Sequence, residues 1–344
     1  MSKKSKLIIA ALSLGCNIAT AGDMGAACIA GNMTTPCEKS AWSFEAQAVY
    51  LQPSYPDLQS SFISKQYFNP GTTPQYLNAP SISPGWGWGW GFFLQGAYSF
   101  KNSKDLTLDW LRMHNTSSTT EIVNSFDGTF TNQYDTPASF NFSQQLDAVN
   151  AVLGQTFNFD NESSARLYGG VAYARLIKNT SNQYQDGSLY TNQTSSINGF
   201  GPRIGVDLFY EPHFFPSYIP LAKIYAKGAT SILIGSQGTS WNNQGNLLKN
   251  VTTSLSTTTA VPALEAKLGV VGEIFEHIGI SGLSYDLNYA IYNYIGGSKN
   301  LLPSSVATGS NTNTTSTGIN FLSRGSSTVT YMGVQFGLRY VANV

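Results

Sequence analysis

The chain has 344 residues, of which 11% are charged and 13% aromatic, and its 19 acidic residues balance 19 basic ones. That balance lacks the basic excess of a nucleic-acid binder. A composition rich in Gly, Ser, Thr, Asn, Tyr and Phe disfavours helices and suits strands, so the class is all-β.

Residues 1–21 open with Lys3, Lys4 and Lys6, continue through an apolar run from Leu7 to Leu14 and finish on Ala19, Thr20 and Ala21. This is the pattern of a secretory signal peptide cut after Ala21. The run is far shorter than the roughly 20 residues of a spanning helix. Cys16 invites a lipoprotein reading, but Ser13 stands where leucine is expected and the Ala-Thr-Ala site lies beyond it. Removing the three lysines leaves 16 basic residues against 19 acidic, a mature net charge of about −3. Residues 22–39 form a periplasmic N-terminal segment with Cys28 and Cys37. An oxidising periplasm favours pairing them into a local staple, with cross-linking between chains as the alternative.

Residues 40–344 alternate at period two in about ten segments. The first, 41–51, sets Trp42, Phe44 and Tyr50 against Glu45 and Gln47. The second, 86–100, turns Trp86, Trp88, Trp90, Phe92 and Leu94 outward and Gly87, Gly89 and Gly91 inward. At about 3.3 Å per residue it spans roughly 50 Å, so its tryptophan end belongs to an interfacial girdle. The third, 104–114, turns Leu106, Leu108 and Trp110 outward and Thr107 and Asp109 inward. The fourth, 140–157, cannot face Asp147 and Asn150 the same way, which suggests a bulge. Segments at 164–176, 197–210, 221–234, 261–271 and 279–291 repeat the pattern, and the last, 328–344, sets Val334, Phe336, Leu338 and Tyr340 against Gln335 and Arg339.

The connections alternate in length. Short turns fall at 101–103, 160–163 and 273–278, with a medium one at 211–220, while long polar loops fill 52–85, the stretch before Phe140, 178–196, 236–259 and 296–327. A soluble sandwich has no cause to sort loops by parity. The expectation is an antiparallel transmembrane β-barrel of about ten strands, within roughly 8–12, with short periplasmic turns, long extracellular loops and both termini on the short side.

No motif for chemistry emerges. His114, His213 and His277 have no metal-ligand spacing, the 85–91 glycines precede more strand rather than a helix, and no nucleophile elbow is present. The expectation is a protein that is not an enzyme and needs no cofactor or metal. What remains is a set of inward charges: Glu45, Asp109, Asp207, Glu265 and Asp286 against Arg166, Arg203, Lys227, Lys267 and Arg339. Such a lining is either a salt-bridged plug, as a narrow barrel favours, or the wall of a selective pore.

The stretch from Cys37 through Trp42-Ser-Phe-Glu-Ala to Tyr50, the Trp-Gly-rich second segment running to Tyr98-Ser-Phe, and Asp105-Leu-Thr-Leu-Asp-Trp resemble the major outer membrane protein family of Legionella. Residues 199–207 and the closing strand are similar too, although Val344 stands where such strands often end in phenylalanine. The resemblance implies an outer-membrane, porin-like barrel passing small hydrophilic solutes, with disulfide cross-linking and host-surface contact. The alternative is a surface or structural protein with a closed lumen. Expected partners are outer-membrane lipid, lipopolysaccharide and host surface molecules, with assembly of like chains left open.

Overall fold

The computed structural model describes residues 40–54, 87–100, 103–126, 133–160, 162–184, 190–212, 222–244, 251–273, 282–311 and 314–343. They form ten strands: β1 (Ala41–Ser54), β2 (Gly89–Ser99), β3 (Lys104–Phe126), β4 (Gln133–Asn158), β5 (Ser163–Tyr184), β6 (Tyr190–Tyr210), β7 (Ala222–Gln244), β8 (Val251–Glu273), β9 (Leu283–Asn311) and β10 (Thr314–Asn343). Each pairs antiparallel with its neighbours in sequence, and β1 pairs with β10 from Ala41↔Asn343 to Ser54↔Thr330 to close the barrel. Closure leaves no backbone donor row facing lipid.

Facing follows the period-two pattern. Leu268 is 63% exposed while its neighbour Lys267 is 9% exposed, because strand geometry sends consecutive side chains to opposite sides of the wall. An apolar band therefore wraps the outside. Its upper border is sharp: the register row Trp110, Val149, Tyr173, Phe200, Ile234 and Ala260 is followed by Arg112, Asp147, Arg175, Asn198, Ser236 and Thr258.

The short turns are locally specified. Ser103 takes a left-handed φ of 56° between β2 and β3, where Phe100 N donates to Lys104 O at 2.7 Å. Between β4 and β5 the Asp160 carboxylate accepts the Glu162 and Ser163 backbone N–H groups, which holds its pKa below the usual carboxylate range. Gly282 enters β9 at φ 89°, and a Cβ there would meet Val341 O at 2.4 Å.

Three expectations change. First, much of the predicted long loops is strand: β3 runs to Phe126 before β4 starts at Gln133, and β5–β6, β7–β8 and β9–β10 extend likewise. In these extensions the buried row includes Ser195, Gln237, Thr239 and Ser298, with Trp241 as an apolar exception, so the alternation is mostly polar against polar and a hydrophobic period misses it. Second, β2 is the shortest strand, since its last pairs are Leu51↔Gly89 and Trp90↔His114; Trp88 still stacks on Tyr50 at 4.9 Å. Trp86 lies outside the described residues. Third, β4 runs without a bulge, in unbroken register with β3 and β5, with Asp147 outward and Asn150 inward. The proposed signal peptide, the 22–39 segment and the Cys28–Cys37 pairing also fall outside the described residues.

Candidate functional site

All ten inward charges expected from the sequence point into the barrel, and nine of them meet partners across its lower half. Arg166 on β5 is the centre of one group. Its Nε and Nη2 donate to both oxygens of Asp105 on β3, the Nε bond at 2.7 Å, and Nη1 donates to Asp207 on β6 at 3.0 Å. Thr107 Oγ1 braces the same Asp105 at 2.8 Å. The guanidinium lies 4.8 Å from the Tyr168 ring centre, and Tyr168 fits because Gly205 faces it; a Cβ on Gly205 would meet the ring at 2.3 Å.

A second group joins β6 to β8. Arg203 Nη2 donates to Glu265 at 2.7 Å, and Lys267 Nζ approaches the other Glu265 oxygen at 3.4 Å. Lys267 also lies over the rings of Phe93, at 4.2 Å, and Tyr292, at 5.5 Å. Asp109 accepts from Asn150 at 2.7 Å beside this group. On the closing side Arg339 approaches Glu45 at 3.3 Å, and Gln47 donates to the same carboxylate. Asp286 accepts from Tyr225 Oη at 2.6 Å and Asn288 at 2.9 Å. Lys227 has no carboxylate at ion-pair distance among the described residues; its Nζ sits 4.5 Å from the Tyr225 ring centre.

Sequence reasoning gave Thr107, Tyr168, Tyr225 and Gln335 inward parity without counting them as partners of the charges, and left Asp105 and Asn150 out of the site. Asp105 shares parity with Asp109 and was legible on that ground. The uncharged partners were not, because parity gives a facing direction but not which residue reaches across the lumen.

Immediately above the charges, toward the long-hairpin end, the interior turns apolar. Leu51, Leu111, Leu146, Ile197, Leu233 and Tyr331 are fully buried there. Above them lies a layer of buried amides and hydroxyls, including Gln144, Gln237 and Thr239. Among the described residues, the charged layer holds cavities of about 20 Å³ and 40 Å³, both touching Asp109, Arg203 and Glu265. A single water centre needs roughly 10–15 Å³, so the smaller has room for a water or two and the larger for a few.

A family model described as Legionella pneumophila major outer membrane protein precursor matches residues 34–342. No curated protein matches the chain. Among solved structures, the outer membrane protease OmpT of Escherichia coli aligns over 90% of this chain and 98% of its own, with TM-score 0.38 and 8% identity. A Pseudomonas aeruginosa FadL homologue covers 89% and 90% at TM-score 0.26 and 10% identity. The P. putida toluene transporter TodX covers 90% and 91% at TM-score 0.26 and 8% identity. At these scores the fold is argued from the strand pairing itself.

Proposed function

For a chain that belongs to the Legionella major outer membrane protein family, matched over residues 34–342, we propose an outer-membrane barrel whose lumen is closed at rest and whose work is done by its outer wall and tall hairpins at the cell surface. The observation that carries this is the layered interior of the described residues: an ion-paired layer, in which cavities of about 20 Å³ and 40 Å³ lie, under an apolar layer of buried side chains. An ion entering the lumen must displace paired charges and then cross a dry constriction, and both oppose passage. The reading is non-catalytic, since the lumen carboxylates Glu45, Asp105, Asp207, Glu265 and Asp286 are held by structural ion pairs and hydrogen bonds. Export through cleavage after Ala21 and pairing of Cys28 with Cys37 belong to the same proposal.

A second reading, porin-like passage of small hydrophilic solutes, is favoured by one feature. The two cavities meet at Asp109, Arg203 and Glu265, so a rearrangement of that single ion pair would join their water. Planar-bilayer recording of the folded protein separates the two. The closed reading expects insertion without unitary current steps; reproducible steps from protein that retains its heat-modifiable gel shift would establish the porin reading instead.

A further inference from the structure

The outward rows are nearly free of charge. Among the residues whose side chains are described, they carry it in two places: Lys104 at the short-turn end, and Arg112, Asp147 and Arg175, with His114 beside them, at the upper border of the apolar band on the adjacent strands β3, β4 and β5. Arg112 Nε lies 3.7 Å from Asp147, whose other oxygen accepts Gln145 Nε2 at 2.8 Å. Arg175 is opposite Asp147 in register on the far side, and among the described residues no carboxylate lies within ion-pair distance of it. Two exposed guanidinium groups thus flank one carboxylate, leaving one positive charge unneutralised. Pairing Asp147 needs only Arg112; it does not account for Arg175.

The depth of the cluster says what would neutralise it. One register step below are Trp110, which packs edge-on against Phe92 with ring centres 4.9 Å apart, and Tyr173. Such amphipathic rings sit at the boundary between hydrocarbon and headgroups. The arginines therefore stand where the phosphates of outer-leaflet lipid lie. Strand spacing puts their backbones roughly 10 Å apart, a gap that a phosphate oxyanion can bridge by accepting from both forks.

We propose that Arg112 and Arg175, with Asp147 holding the first in place and His114 and Gln145 at the rim, bind a phosphate of an outer-leaflet glycolipid of the lipid A type. The site lies on the outer wall and does not depend on whether the lumen conducts.

Full-length folded protein in phosphatidylcholine vesicles doped with bis-phosphorylated lipid A is the test, with affinity read by titrating the lipid and folding checked by gel shift. Each arginine contributes about fivefold, so Arg112→Gln with Arg175→Gln should weaken binding about thirtyfold. Lys104→Gln, which removes an outward cation at the short-turn end, should change nothing. Lipid A stripped of phosphate should bind like the double variant, and inorganic phosphate should not compete at matched concentration. If the double variant fails to fold, Arg175→Gln alone must still show the fivefold loss. Equal binding by the arginine variants or by dephosphorylated lipid overturns the proposal. Competition by free phosphate shows an anion site without lipid specificity, and association of wild-type copies through this patch in place of lipid shows a protein contact; either also overturns it.

Discussion

At the scale of single residues, the wall converts a one-residue step into a change of solvent, and neighbours on β9 make that measurable. Leu287 is exposed on the lipid side, while Asp286 is buried and accepts hydrogen bonds from Tyr225 and Asn288, both on its Oδ1. Leu287→Arg should cost about 2–4 kcal/mol, the depth-dependent penalty for a cation near the bilayer midplane. Asp286→Asn keeps an acceptor at the Oδ1 position and loses only charge assistance, so about 1 kcal/mol is expected. Denaturant titration of both variants in the same lipid checks the order; comparable losses, or the reverse order, would mean that the lipid face is misassigned. The same parity argument made most lumen charges legible in the sequence. It stalled at Asp147, because an outward acid looked like an error until the register placed Arg112 and Arg175 on either side of it. Cross-strand neighbours depend on register, which a single strand does not encode.

Elements are tied across the lumen as well as along their edges. Arg166 on β5 holds Asp105 on β3 and Asp207 on β6, so one side chain spans four consecutive strands. Arg166→Ala would leave two inward carboxylates facing each other without compensation, a loss of about 3–5 kcal/mol. The expected result is a markedly lower temperature for the folded-to-unfolded gel shift. A transition unchanged within error would mean that water, not Arg166, solvates these acids. Strand existence and order were legible from the lipid-facing half of each element, where apolar and polar rows differ. The upper halves were not: Thr, Ser, Asn and Gln predominate in both rows of β7 and β8 above Ile234 and Val261, with isolated Trp241 and Leu255, so pairing there continues without a periodic hydrophobic signal.

For the whole molecule the question is whether the lumen charges form a plug or a pore lining, and reversing two lysines distinguishes them. Lys227 and Lys267 are opposite each other in register on β7 and β8, with Asp207 beside the first and Glu265 bonded to the second. Inward, this layer already holds Glu45, Asp105, Asp109 and Asp286. With Lys227→Glu and Lys267→Glu together, two further carboxylates would enter a space whose cavities are about 20 Å³ and 40 Å³. Little water is there to screen them, and Arg166, Arg203 and Arg339 are already engaged. A filled lumen therefore predicts that the double variant loses several kcal/mol, melts at a lower gel-shift temperature and conducts no better than wild type. A water-filled lumen predicts the opposite pair of results, because solvated charges set the field without holding the wall together: an intact transition and a reversal potential moved toward cation selectivity. Lys227→Gln calibrates the comparison. With no carboxylate at ion-pair distance, that lysine is expected to lose mainly its contact with the Tyr225 ring, a small effect beside the reversal. A cation-selective current from a stably folded double variant would overturn the closed lumen, and with it the surface role proposed for the barrel.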